Sequence, residues 1–248
     1  MARVVVSGRF PFKSELINGL YFDGASGLGT VTAPADVKIT TKTVRVIMRI
    51  GQLYSATKGI FGLNTANWYF GIAGAQYRYS YFNAAGVQTL GSSTSGVAVA
   101  NKPTEVVLTH SNDGIPGGEV YIDWYIDGVF INRTTNATGD GGGAWGTSFT
   151  TGAAVGVRHN HTLYLAEFYN TALSAQDVYD LRVGRPIATD PLHQYIPNAS
   201  ASTLTDTGTG TASDMTTGAS SFLTGDAPFE PRAAASGRVA VSGRVAIT

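Results

Sequence analysis

From Glu119 to Asp127 every second residue is apolar. Val120, Ile122, Trp124 and Ile126 fall on one side, and Glu119, Tyr121, Asp123, Tyr125 and Asp127 on the other. Only an extended strand, with its side-chain period of two, sorts such a segment into one dry and one wet face. The same alternation recurs where Val44, Val46, Met48 and Ile50 interleave with Thr43, Arg45, Ile47 and Arg49, and in Trp68, Phe70 and Ile72. Tyr77, Tyr79 and Tyr81 oppose Gln76, Arg78 and Ser80 and are read as core; Val106 and Leu108 continue the pattern. Asn112-Asp113-Gly114 and Asp127-Gly128 punctuate these runs with the residues that tight hairpin turns require. The expectation is an antiparallel sheet with one face buried and one wet, and with Trp68, Trp124, Ile126, Leu165 and Phe168 inside.

The rest of the chain narrows the class. Its 248 residues are 43% hydrophobic and 14% charged, enough for one large all-β core and too apolar for disorder. With no cysteine there is neither a disulfide framework nor a thiolate metal site. No apolar run is long enough to span a bilayer, so membrane insertion is not expected. Val4-Val5-Val6, flanked by Arg3 and Arg9, makes no export signal, and the Asn-x-Ser/Thr sequons at Asn132, Asn136, Asn160 and Asn198 are expected to stay unmodified. A formal net charge of zero argues against nucleic acid as a partner.

That neutrality is a cancellation. Residues 14–231 hold all seventeen acidic and eleven basic side chains, a net charge of −6, while residues 1–13 and 232–248 contribute +6. The two arms also repeat each other: Arg3-Val4-Val5-Val6-Ser7-Gly8-Arg9 matches Arg238-Val239-Ala240-Val241-Ser242-Gly243-Arg244 at six of seven positions. Both alternate like strands. The chain is therefore read as an N-terminal basic strand arm (1–13), a β-sandwich (14–231) and a C-terminal basic strand arm (232–248). One helix interrupts the strands, over about 174–183. Ser174 and Asp177 have capping-box spacing, Leu173 and Val178 occupy the staple positions, and Gly184 with Pro186 ends it.

The run Ala154-Val155-Gly156-Val157, then Leu163-Tyr164-Leu165-Ala166-Glu167-Phe168-Tyr169-Asn170-Thr171-Ala172-Leu173-Ser174, then Val178-Tyr179-Asp180-Leu181, resembles the closing strands and short helix of concanavalin A-like (laminin G-like) jelly-roll domains. Leu20-Tyr21-Phe22-Asp23-Gly24 is similar to the opening strand of such domains. Val106 to His110 with Val120 to Gly128 is similar to their central hairpin. The resemblance covers roughly residues 16–185. It implies an all-β, two-sheet antiparallel jelly-roll sandwich, a fold shared by lectins, glucanases, adhesion modules and bacteriophage surface proteins.

Catalysis is not expected. Glu119, Asp123 and Asp127 share a face at four-residue spacing, about 13 Å between successive carboxylates and too far for either two-carboxylate glycosidase mechanism. His159-Asn160-His161 places two imidazoles on one strand face without a third ligand, and Gly141 to Gly146 spells a Gly-x-Gly-x-x-Gly that opens no helix. No cofactor is expected; Asp113 and Asp140 are the only Ca²⁺ candidates. Tyr121, Asp123 and Tyr125 on the wet face, extended by Trp145, form the candidate glycan surface. The arms, through Arg3, Val4, Val6, Arg9, Arg238, Val239, Val241 and Arg244, are expected to pair with neighbouring subunits. The function expected first is a non-enzymatic virion structural protein, a bacteriophage capsid decoration or appendage subunit. It would be made in the host cytoplasm, form a homo-oligomer (a trimer before a dimer), touch other virion proteins and bind surface glycans. The alternative is a free carbohydrate-binding lectin module.

Overall fold

The computed structural model describes residues 19–22, 29–32, 42–53, 55–56, 58–62, 68–82, 88–92, 97–112, 120–136, 148–151, 160–197, 203–217 and 222–224. Both arms, with all eight of their named residues, lie outside these, as do Asp113, Glu119, Asp140, Trp145 and His159.

In chain order the strands are β1 (Gly19–Phe22), β2 (Gly29–Thr32), β3 (Lys42–Ile50), β4 (Lys58–Gly62), β5 (Trp68–Ala73), β6 (Gln76–Phe82), β7 (Gln88–Ser92) and β8 (Pro103–Asn112). They continue as β9 (Val120–Ile126), β10 (Val129–Asn136), β11 (Ser148–Thr151), β12 (His161–Tyr169), β13 (His193–Tyr195), β14 (Thr203–Leu204), β15 (Met215–Thr217) and β16 (Phe222–Thr224), with one helix, α1 (Ala175–Arg182). They form two eight-stranded antiparallel sheets. The first runs β10-β9-β8-β3-β12-β1-β16 with β13 also on β12; the second runs β14-β15-β2-β11-β4-β5-β6-β7. The chain is an all-β sandwich with one short helix, as the alternation and the resemblance imply.

One hydrophobic cluster joins the sheets. Val44, Val46, Met48, Ile50, Val106, Leu108, Ile122, Trp124, Leu163 and Phe168 from the first meet Ile60, Phe70, Ile72, Tyr77 and Tyr79 from the second. Trp124, Ile126, Leu165 and Phe168 are buried as expected. Trp68 lies in β5 and Tyr81 in β6, but their side chains are outside the described set.

The reading of a uniformly wet outer face does not hold. β12 is buried along its whole length and β3 along nearly all of it. The reason is the chain after β12, which folds back over the outer face of the first sheet. There α1 and its approach cover Val107, Tyr125 and Tyr169 with Leu173 and Val178, while Ile47, Tyr164 and Leu165 pack with Ile196. A bulge between Leu163 and Leu165 shifts the pairing of β12 on β3 and sends both Tyr164 and Leu165 outward. The helix itself starts as its capping spacing predicts. The Asp177 amide donates to Ser174 Oγ at 3.1 Å, and the Ser174 amide donates to Asp177 Oδ2 at 3.0 Å. It stops at Val183, with Gly184 at φ +73°.

The Ser/Thr-rich stretch after β13 laces the sheets together. β13 belongs to the first sheet, β14 and β15 to the second, and β16 returns to the first beside β1. Asp206 anchors the crossing: its carboxylate accepts from the amides of Gln194, Gly208 and Ser213 and from His193 Nδ1. Gly208 passes so close to Leu192 that an added Cβ would lie 2.1 Å from its carbonyl oxygen.

Candidate functional site

The site is built on the part of the first sheet that α1 leaves open. β9 and β10 are joined by a two-residue turn in which Asp127 and Gly128 both have positive φ, +51° and +79°. That geometry matches the right-handed twist of the strands and favours Asp-Gly. It sets Ile126 opposite Val129 and Tyr125 opposite Phe130. One residue later the register shifts, between Phe130 and Asn132. The bulge turns Ile131 toward the core and brings both Phe130 and Arg133, three residues apart, to the outer face.

Two rows of side chains result. In the first, the Phe130 ring, 51% exposed, stands edge-on to Tyr125 with centroids 5.5 Å apart. In the next, Arg133 and Asp123 face each other across the strands and close a two-pronged bond: Nε donates to Oδ1 at 2.6 Å and Nη2 to Oδ2 at 2.8 Å. The same guanidinium lies over the Tyr121 ring, 5.0 Å from its centroid. The hydrogen bond to Asp123 raises the Arg133 pKa above its ordinary value, so the cation is permanent. Thr135 opposite Tyr121, and Ser111 beyond it, end the patch with hydroxyls.

Beneath α1 the same outer face holds a buried charge network. Arg45 Nε donates to Glu105 Oε1 at 2.6 Å, Nη1 to Glu167 Oε2 at 2.9 Å, and Nη2 to the Leu181 carbonyl at 3.3 Å. Tyr169 and Gln194 also donate to Glu167. Arg182 lies 3.7 Å from Glu105 and 3.6 Å from Asp127. Burial opposes the charge on Glu167, but the Arg45 charge and these hydrogen bonds outweigh it and hold its pKa below the usual value. The network ties the helix to the sheet; its centre, Glu105 and Glu167, is buried, and Arg182 and Asp127 form its half-exposed rim.

Of the residues expected at a glycan surface, Tyr121 and Asp123 are half-buried and adjacent, as their spacing implies. Tyr125 is not on the open face: it is 4% exposed, covered by the helix segment and by Phe130. It serves as a floor. Trp145 and the Ca²⁺ candidates Asp113 and Asp140 lie outside the described residues. Among the described residues no group of three His, Asp or Glu side chains could hold a metal ion. His161 faces the core, its ring stacked on Phe22 at 5.0 Å. Sequence reasoning missed Phe130 and Arg133, because strict alternation cannot place both on one face and the bulge that does so leaves no clear local signal. The Asp-Gly turn two residues before Phe130 was the nearest hint.

No family model matches this chain, and no curated protein sequence matches it. Solved structures do. A candidate carbohydrate-binding protein from Bacteroides ovatus is similar with a TM-score of 0.59 and 13% identity, over 85% of this chain and 60% of that one. The binding domain of botulinum neurotoxin serotype D is similar with a TM-score of 0.53 and 14% identity, over 77% of this chain and 53% of that one. The receptor-binding domain of the mosaic serotype C/D toxin also scores 0.53, at 13% identity, over 77% of this chain and 52% of that one. The chain thus spans between about half and 60% of the structures it resembles. At these identities the likeness establishes the fold they share, the β-sandwich of binding domains.

Proposed function

We propose that this chain is a glycan-binding β-sandwich module that binds without cleaving, and that the open outer face of β9 and β10 is its contact surface. The observation that carries the reading is the exposed Phe130 ring one strand-row from the Tyr121–Arg133–Asp123 stack. An apolar ring takes the C–H face of a sugar, while a carboxylate and a guanidinium side by side bond its hydroxyls in both directions. The fold neighbours support the lectin alternative over the virion subunit expected first, since one is described as carbohydrate-binding and others are receptor-binding domains. The absence of cleavage is supported by the acids themselves: Asp123 is paired with Arg133, and Asp127 with Lys102 and Arg182. A kinship with the concanavalin A-like (laminin G-like) domains is part of this proposal, and the strand of Leu163 to Tyr169 running into a capped helix supports it. Attachment to a virion through the arms is then a setting in which such a module would work.

The test is a glycan array with the wild type and Phe130→Ala. Binding that falls at least about tenfold (~1.4 kcal/mol) in the variant, with unchanged circular dichroism, supports the surface. Equal binding by both proteins would move the site elsewhere, and no binding to any glycan would end the reading.

A further inference from the structure

We infer that Asp123 is a built-in counter-ion that reserves this surface for uncharged glycans; the inference rests on the function proposed above. A solvent-facing arginine beside an aromatic ring is ordinarily a receptor for anions, because its planar fork matches a carboxylate or sulfate two-pronged. Here the fork is already filled. Nε and Nη2 of Arg133 bond the two oxygens of Asp123 at 2.6 and 2.8 Å, although the arginine side chain is 53% exposed.

Three features keep the fork filled. Asp123 and Arg133 are direct cross-strand partners, so the carboxylate is held at the guanidinium by the sheet itself, and a free anion must compete with a tethered one. The Asp123 side chain is only 14% exposed and cannot swing away into solvent as a surface acid would. The guanidinium plane is in turn seated on Tyr121, which fixes the direction in which its free N–H groups point.

The chemistry left over is that of a neutral polyol receptor. Two of the five guanidinium N–H groups are spent on Asp123, and each carboxylate oxygen retains acceptor capacity. A sugar hydroxyl can accept from the first and donate to the second. The charges of the pair cancel, and the neighbouring side chains on the patch, Thr135, Ser111 and Phe130, are uncharged. An acidic sugar would set its own charge beside Asp123, where the one cation among the described residues of the patch, Arg133, is already paired.

The experiment titrates the wild type and Asp123→Asn with matched pairs of glycans, each a neutral oligosaccharide and its sialylated, uronate or sulfated counterpart, at low and high salt. The wild type is expected to prefer the neutral member of each pair, with little dependence on salt. Asp123→Asn, which keeps the shape and removes the charge, is expected to gain at least about tenfold (~1.4 kcal/mol) for the acidic member relative to the neutral one, in a salt-sensitive manner. Tighter wild-type binding of the acidic member overturns the inference and leaves the glycan reading standing. The salt dependence of the wild type is decisive even if the variant does not fold. Failure of the wild type to bind either class removes the glycan reading and this inference together.

Discussion

Arg45 and Glu167 sit directly opposite each other on β3 and β12, and their side chains meet at 2.9 Å beneath the last turn of α1. The guanidinium also serves Glu105 and the last turn of α1, so one cation bonds two buried carboxylates and tethers a helix end. Removing it leaves Glu167 with only the neutral donors Tyr169 and Gln194, and Glu105 with only Arg182 at 3.7 Å. Arg45→Met is therefore expected to cost about 3–5 kcal/mol in urea unfolding. Glu167→Gln keeps shape and hydrogen-bonding capacity and is expected to cost less. Because the folded-state pKa of Glu167 lies below its ordinary value of about 4.5, its contribution is complete above that value and is lost as pH falls through the folded one. The variant should accordingly lose less stability than the wild type on acidification.

Lys42 gives the opposite end of the pH scale. It is an inward residue of β3, opposite His110 and 5.7 Å from the centre of the Tyr79 ring, and burial pushes its pKa well below 10.5. The unfolded chain then binds the proton more readily than the folded one. Stability from this group is complete above about 10.5 and declines as pH drops toward the folded value. Below about pH 10.5 and above the folded value, unfolding free energy should rise with pH by up to about 1.4 kcal/mol per unit. Lys42→Met should flatten that slope, which chemical denaturation at a series of pH values reads directly.

Ser174 fixes where α1 begins. Its hydroxyl accepts from Asp177 N, and Asp177 reaches back to the Ser174 amide. Ser174→Ala is expected to cost about 1 kcal/mol in thermal unfolding. Faster hydrogen exchange over residues 175–182 would show that the loss is local.

That helix was fully legible, because a cap, a staple and a terminating glycine are all local signals. So was the inner face: alternation in residues 43–50 and 119–127 named the buried side of each strand correctly. The covering of the outer face was not. Arg45 read as a wet position because nothing near it in sequence shows that a helix more than 120 residues from β3 will lie over it. At the site, Tyr121 and Asp123 came from period two, while Phe130 and Arg133 came from a single-residue break in that period. Tyr125 failed for the reason that hid Arg45, since α1 covers it.

The arms provide a prediction of a different kind. From their near-identical basic sequences and the net −6 of the body we predict docking between copies, in which backbone pairing would contribute more than the charges. Deleting 1–10 and 236–248 is expected to leave the sandwich folded by circular dichroism and to convert a homo-oligomer, expected to be a trimer, to a monomer by analytical ultracentrifugation. A trimmed protein of unchanged mass in solution would mean that assembly uses another surface.

The pairing of β1 with β16 puts Gly19 opposite Thr224, so the first and last described strands meet at a single place. That place is one end of the first sheet's strand order, and β10, with its Phe130 and Arg133, is the other end. Six strand spacings separate them, close to 29 Å at about 4.8 Å per spacing. The candidate surface therefore lies across the width of the first sheet from the β1–β16 pair. Copies held at the β1–β16 flank would all display the proposed surface without shading one another.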